Sequence, residues 1–138
     1  SVFLNAFNPS EAGHAESQRV LAWLQEQATP IIVPTLVLPE VAATISRVRG
    51  DATLARDFAS ALSRLPNLVL VNLDPMLAQQ AADAAAQYRL RGSDAVYAAV
   101  ALRFGTVLMT LDREQHERLA PVVTSRYPVE VLADLKSS

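Results

Sequence analysis

The sequence predicts an α/β sandwich, in which helices cover both faces of a mainly parallel sheet. Short apolar segments alternate with longer amphipathic ones, and this alternation is typical of strands joined by helical crossovers. Residues 68–71 are apolar at every position, as expected for a parallel strand that is buried on both faces. The chain has 138 residues, 51% of them apolar, so we expect one domain covering residues 1–138.

Helices are predicted where apolar residues recur at spacings of three and four after a residue that can cap the helix start. Thr35, Asp51 and Ser93 are placed to act as such caps. Asp74 followed by Pro75 combines a capping side chain with a proline at the first helical position. The helices predicted in this way cover residues 14–27, 35–49, 51–64, 74–88, 93–104 and 112–119.

Strands are predicted where short apolar runs lie between these helices. The opening run predicts the end of a first strand, whose beginning we expect upstream of Ser1. The last run alternates in polarity and predicts an edge strand. The predicted strands cover residues 2–4, 31–33, 68–71, 106–111 and 129–131.

The composition excludes several classes of protein. Without cysteine, the chain cannot form a disulfide scaffold, an iron–sulfur cluster or a thiolate zinc site, and we expect it to be cytoplasmic. No apolar run approaches the roughly 18–20 residues that cross a bilayer, and the first residues do not resemble a signal peptide. The net charge of −2 argues against a protein that coats nucleic acid through the electrostatic attraction of its whole surface.

Acidic residues follow the predicted strands or open the next helices, at the edge where parallel sheets bind ligands. Asp74 is fully explained as a helix cap, and Asp112 with Gln115 forms a version of the capping box. Glu40 and Asp94 are less easily explained, and a partly buried Glu40 needs a partner. Converging carboxylates repel one another unless a cation neutralises them, and oxygen ligands select Mg²⁺ or Mn²⁺ over zinc. Phosphodiester chemistry is the expected use of such a site.

Four segments resemble the motifs of a known family. Residues 1–4 resemble the end of its opening strand, residues 34–41 its second acidic segment, residues 92–101 its third and residues 108–112 its fourth. The eighteen-residue step between the acidic residues of the third and fourth segments is the most specific element. On these motifs, which are spread over nearly the whole chain, the sequence resembles PIN-domain ribonucleases of the VapC toxin type.

The resemblance implies a fold, an activity and a site. The fold is a PIN-like three-layer α/β/α sandwich, and the activity is Mg²⁺- or Mn²⁺-dependent endoribonuclease hydrolysis of RNA, as the toxin of a type II toxin–antitoxin pair. The implied partners are the RNA substrate, a cognate antitoxin protein and a second copy of the chain. The family's first acidic residue would lie two positions before Ser1. The implied site residues are the metal-binding and catalytic Glu40, Asp94 and Asp112, with Thr110, Asn5 and Arg91 as neighbours that contact substrate.

The main alternative is a PIN-like binding module that is catalytically silent and acts through protein contacts. Cleavage of RNA that depends on magnesium and is abolished by EDTA would separate the two. Arg89, Arg91 and Arg113 flank the proposed cleft in sequence and could contact RNA phosphates, but they are better explained as solvated surface residues. A receiver domain needs an interior lysine, whereas the only lysine here is Lys136, and a dinucleotide-binding domain needs a glycine-rich turn that the sequence lacks.

Overall fold

Helices and short strands alternate along residues 12–136, the part of the chain that the computed structural model describes. The helices are α1 (His14–Glu26), α2 (Val37–Arg49), α3 (Ala52–Ser63), α4 (Pro75–Tyr88), α5 (Gly92–Phe104), α6 (Arg113–Leu119) and α7 (Pro128–Lys136). The strands are β1 (Ile31–Pro34), β2 (Leu68–Val71), β3 (Leu108–Met109) and β4 (Ser125–Arg126). The predicted strand over residues 2–4 and the predicted site residue Asn5 lie outside the described residues.

The strands pair in parallel, as the sequence predicts. β1 pairs with β2 in a register that places Ile31 opposite Leu68, and β3 pairs with β4 in a register that places Leu108 opposite Ser125. Within residues 12–136 these pairs form separate two-stranded ladders. The strand predicted over residues 106–111 is shorter than expected, because the ladder with β4 extends only over Leu108–Met109.

Two apolar cores lie on opposite faces of the β1–β2 ladder. On one face, Ile32 and Val71 pack against a core built mainly from the alanine-rich helices α4 and α5. On the other face, Val33 and Leu70 belong to a core built with α2 and α3. Helices therefore cover both faces of the ladder, which is the three-layer arrangement predicted. Val69 is nevertheless 43% exposed, so β2 is not buried on both faces along its whole length as predicted.

The predicted helix caps at Asp51 and Asp74 are confirmed. Asp51 Oδ1 accepts a 2.9 Å hydrogen bond from the Leu54 N–H, and Asp74 Oδ1 accepts one of 2.8 Å from the Leu77 N–H. Each carboxylate thus satisfies a backbone donor that the first helical turn leaves free. The hydrogen bond from Leu77 also lowers the pKa of Asp74 below its ordinary value.

The predicted caps at Thr35 and Ser93 are wrong. The Thr35 N–H donates to the Val71 carbonyl at 2.9 Å, so Thr35 extends the β1–β2 ladder, and α2 begins two residues later without a side-chain cap. Helix α5 begins at Gly92, one residue before Ser93, and also lacks a side-chain cap. Its start is supported instead by backbone, because the Ala95 N–H donates to the carbonyl of Arg91 at 2.9 Å.

Residues 129–131 belong to a helix, and the edge strand predicted there is wrong. α7 begins at Pro128, and proline suits the first helical position because it has no N–H to leave unpaired. Glu130 Oε1 accepts a 3.0 Å hydrogen bond from the Tyr127 N–H, which is the returning half of a capping box. The same hydrogen bond lowers the pKa of Glu130 below its ordinary value. Local capping chemistry therefore outweighs the alternating polarity.

None of the helices within residues 12–136 is long and apolar enough to cross a membrane.

Candidate active site

Asp94 lies in the first turn of α5, a helix that is largely enclosed by the protein. Ala95, Ala98 and Ala99 are almost completely buried, so the helix is tightly packed and its N-terminal turn has a defined position. The Asp94 side chain is itself half-buried. Its Oδ1 accepts a 2.8 Å hydrogen bond from Nε2 of Gln115 on α6. The first acidic candidate is therefore held by a neutral donor from another helix.

Asp112 follows β3 and caps α6. Its Oδ1 accepts hydrogen bonds from the N–H groups of Glu114 and Gln115, at 2.9 and 3.2 Å. The Asp112 N–H donates to Thr110 Oγ1 at 3.0 Å, and the Thr110 hydroxyl donates in turn to Gln115 Oε1. The predicted capping box is thus half formed: Asp112 caps the helix, whereas the Gln115 side chain turns to Asp94 instead of returning to the Asp112 N–H.

Glu40 lies in the first turn of α2 and receives a hydrogen bond from α5. The Tyr97 hydroxyl donates to Glu40 Oε1 at 2.6 Å, so the half-buried carboxylate has the partner that its position requires. The pKa of Tyr97 is raised well above its ordinary value, first by burial, then by the hydrogen bond to Glu40 and the Glu40 charge, and finally by the Asp94 charge. Tyr97 therefore lies within the electrostatic reach of both carboxylates.

The remaining predicted site residues differ in their surroundings. Thr110 is buried, with 4% of its surface exposed, and belongs to the network around Asp94. Arg91 immediately precedes α5, and its side chain is 66% exposed, 3.9 Å from a carboxylate oxygen of Glu114. Such an exposed pair is weak, so the Arg91 guanidinium remains accessible to an anion.

The donor chemistry of the three carboxylates fits a hard divalent cation. Hydrogen bonds from described residues reach one oxygen of each, namely Oε1 of Glu40, Oδ1 of Asp94 and Oδ1 of Asp112. Residues 12–136 donate no hydrogen bond to the second oxygen of any of them. Within the same range, no group of three or more acidic, histidine or cysteine side chains lies close enough to hold a metal. A cation at this position would therefore have few protein ligands there and keep several waters, as Mg²⁺ commonly does.

Comparison with known proteins decides the family. The sequence matches the PIN domain family over residues 1–120. The chain belongs to the PIN domain family. Its structure is also similar to the crystal structure of VapBC2 from Rickettsia felis bound to a DNA fragment from their promoter. The similarity has a TM-score of 0.68 and covers 91% of this chain and 92% of that chain, at 13% sequence identity. At that identity it establishes the fold alone. A search of curated proteins found no match.

Two side chains of this PIN domain make contacts that the sequence did not predict: Tyr97 donates to Glu40, and Gln115 donates to Asp94. Tyr97 follows Asp94 by three positions, so the two side chains lie on neighbouring positions of one helix surface. That spacing is the signal that could have identified Tyr97. Gln115 offered no such signal, because its position three residues after Asp112 is already explained by capping.

Proposed function

We propose that this PIN domain is a Mg²⁺- or Mn²⁺-dependent endoribonuclease that hydrolyses RNA phosphodiester bonds. The observation that carries the proposal is the position of Tyr97. Its hydroxyl donates a hydrogen bond to Glu40 on α2, and the charge of Asp94, on the same helix as Tyr97, contributes to raising the Tyr97 pKa. Asp94 is in turn connected through Gln115 and Thr110 to the Asp112 turn. Acidic groups from three separate elements are thus linked in one region.

In this proposal Glu40, Asp94 and Asp112 hold the metal, in part through its bound waters, by the carboxylate oxygens that accept no hydrogen bond from residues 12–136. Mg²⁺ held by these residues would supply a water that is more easily deprotonated and would neutralise charge on the scissile phosphate. The chain's own residues orient these groups. Tyr97 donates to Glu40. The hydroxyl of Thr110 accepts from the Asp112 N–H and donates to Gln115. Asn5, which lies outside the described residues, remains a proposed polar neighbour.

Arg91 is proposed to bind an RNA phosphate beside the acidic residues. It lies three positions before Asp94, and its side chain is mostly exposed. A cation next to acidic metal ligands offsets the repulsion that an approaching polyanion meets there. Phosphate contacts of this kind set the position of the strand and carry no sequence information.

We further propose that the chain is the toxin of a type II toxin–antitoxin pair, acting in the cytoplasm. The support is its PIN domain and its similarity in fold to a structure described as VapBC2 with promoter DNA. An antitoxin protein and a second copy of the chain are the proposed partners. Expression of the intact gene alone should arrest growth of a bacterial host, and expression together with the cognate antitoxin gene should restore it.

The nuclease proposal is tested by incubating the purified protein with RNA in Mg²⁺, with and without EDTA. We expect cleavage at internal phosphodiester bonds in Mg²⁺ and no cleavage in EDTA. Loss of cleavage in EDTA excludes a contaminating metal-independent ribonuclease, and restoration by excess Mg²⁺ shows that EDTA acts by removing the metal. Equal cleavage with and without EDTA would contradict the proposal.

One observation favours the second candidate, a catalytically silent PIN-like protein-binding module. Within residues 12–136, no three metal-binding side chains are gathered closely enough to form a site by themselves. A silent module would leave RNA intact under all metal conditions yet still form a stable complex with its partner protein. Detection of that complex together with metal-dependent cleavage would exclude this candidate.

A further inference from the structure

We propose that Gln115 is a positioning residue, which holds the Asp94 carboxylate in a fixed orientation through a directional hydrogen-bond relay from the Asp112 backbone. The relay runs from the Asp112 N–H to Thr110 Oγ1, then to Gln115 Oε1, and from Gln115 Nε2 to Asp94 Oδ1. The effect of the relay on metal binding rests on the function proposed above. The existence of the relay does not depend on that function.

The direction of the relay is set by its two ends. The carboxylate oxygen Asp94 Oδ1 can only accept, so it faces the Gln115 amide nitrogen at 2.8 Å, and the Gln115 amide oxygen is left to face Thr110. An amide oxygen also only accepts, so the Thr110 hydroxyl donates to it. At the other end, the Asp112 N–H can only donate, and Thr110 Oγ1 accepts from it at 3.0 Å.

Gln115 is held at its backbone as well as at its side chain. Its own N–H donates to Asp112 Oδ1 at 3.2 Å, so Asp112, whose N–H begins the relay, also anchors the backbone of Gln115. Thr110 is buried, which protects the middle of the relay from competing water. These contacts fix the Gln115 amide plane, and the amide plane fixes Asp94.

The relay engages only Oδ1 of Asp94, and residues 12–136 donate no hydrogen bond to Oδ2. Groups that orient a metal-binding side chain typically affect metal affinity or activity by about 10–100-fold when they are removed. Without the Gln115 amide, the Asp94 side chain can rotate among several orientations. Metal binding must then also fix one of these orientations, which costs conformational entropy and lowers the metal affinity. The relay thus prepares Asp94 for a cation without contributing a ligand.

The metal arm of the test measures Mn²⁺ affinity by titration calorimetry for the wild-type chain and Gln115→Leu. We expect Gln115→Leu to bind Mn²⁺ about 10–100-fold more weakly. The matched control is Gln79→Leu, because Gln79 Nε2 makes a 3.3 Å hydrogen bond to Asp83 on the exposed surface of α4. Gln79→Leu should bind Mn²⁺ like the wild type. Equal affinity in all three proteins would overturn the role of Gln115.

Thr110 variants test the relay at its middle. Thr110→Val removes the hydroxyl and should weaken Mn²⁺ binding, whereas Thr110→Ser keeps the hydroxyl and should retain wild-type affinity. The double variant Thr110→Val with Gln115→Leu should have the same Mn²⁺ affinity as the single variant that binds Mn²⁺ less tightly, because both changes break the same relay. Multiplicative losses would show that the two residues act independently and would overturn the relay. Gln115→Asn, whose amide cannot reach as far, replaces Gln115→Leu if the leucine variant does not fold.

A metal-free arm separates the relay from the proposed function. In nuclear magnetic resonance spectra recorded without metal, Thr110→Val should shift the side-chain amide signals of Gln115, and Gln115→Leu should shift the carboxyl carbon signal of Asp94. The Gln79 amide signals should stay unchanged. Absence of both shifts would overturn the relay. If both shifts occur while the wild-type chain binds no Mn²⁺ and cleaves no RNA, the relay stands and the proposed function fails.

Discussion

The Tyr97 hydroxyl donates a 2.6 Å hydrogen bond to the Glu40 carboxylate, although the two residues are 57 positions apart in sequence. The contact joins α5 to α2, helices that contribute to cores on opposite faces of the β1–β2 ladder. It thus bridges the two helical layers. Because the Asp94 charge also reaches Tyr97, the same side chain relates two candidate carboxylates to each other.

Tyr97→Phe should weaken both stability and activity. It removes a hydrogen bond to a charged group, which typically stabilises a folded protein by about 1.5 kcal/mol or more. It also frees the Glu40 carboxylate, so we expect kcat/KM for RNA cleavage to fall about tenfold, as for other groups that orient a metal ligand. Urea unfolding and steady-state kinetics measure the two effects.

The matched control is Tyr88→Phe, since Tyr88 lies at the end of α4 and is 38% exposed. Its unfolding free energy should stay within about 0.5 kcal/mol of the wild type, and its activity should be unchanged. If Tyr97→Phe behaved like Tyr88→Phe in both measurements, the bridge between Tyr97 and Glu40 would have no functional importance.

The order of the elements could be predicted because it depends on local patterns. The apolar spacing of Val37, Val41, Ile45 and Val48 predicts the buried face of α2. The first three are buried, whereas Val48, in the last turn of the helix, is 74% exposed. Strand limits could not be predicted in this way, since they depend on distant partners. Thr35 resembles a helix cap locally, but its N–H is taken by Val71, a residue 36 positions later in the chain.

The candidate carboxylates could be proposed from the sequence because ligand sites follow the ends of parallel strands. Their hydrogen-bond partners could not. Gln115 can reach either the Asp112 N–H or Asp94, and only the packing of α5 beside α6 decides between them. The Tyr97 hydroxyl likewise meets Glu40, 57 positions earlier in the chain, only through the tertiary fold.

The Asp74 cap should make stability depend on pH in the acidic range. Its pKa is lowered by the Leu77 N–H, so the cap stabilises the fold fully above the ordinary value of 3.8 and loses this effect as pH falls through the lower folded pKa. Asp74→Ala should therefore lower the melting temperature at neutral pH, and its difference from the wild type should shrink below about pH 3.8.

Asp74→Asn provides the control for this prediction. Asparagine caps helices as well as aspartate does but does not ionise, so Asp74→Asn should retain most of the neutral-pH stability. A difference between Asp74→Ala and the wild type that stayed constant down to pH 2 would argue against an ionised cap.

Arg91→Ala should weaken RNA binding with little effect on the chemical step. Arg91 is exposed and its ion pair with Glu114 is long, so folding should not depend on it. We expect KM for RNA to rise several-fold, kcat to change less than twofold, and the slope of log affinity against log salt to decrease by about one. Arg64→Ala, at the end of α3, is the control. A salt dependence equal to that of the wild type would remove Arg91 from the RNA contact surface.

The central claim is that Asp94 belongs to a metal-dependent nuclease site, and Asp94→Asn tests it. Asparagine keeps the size of the side chain and can still accept from Gln115, but it removes the negative charge that a divalent cation requires. In metal-free buffer, the melting temperature should be unchanged or raised, because repulsion among the carboxylates is reduced. Asp83→Asn is the matched control, since Asp83 also accepts from a glutamine but lies on the surface of α4.

The decisive measurement is the rate of RNA cleavage at saturating Mg²⁺ by the wild type, Asp94→Asn and Asp83→Asn. We expect Asp94→Asn to lose at least about 100-fold in rate while remaining folded, and Asp83→Asn to match the wild type. Full activity in a folded Asp94→Asn protein would contradict the assignment of Asp94 and, with it, the proposed active site.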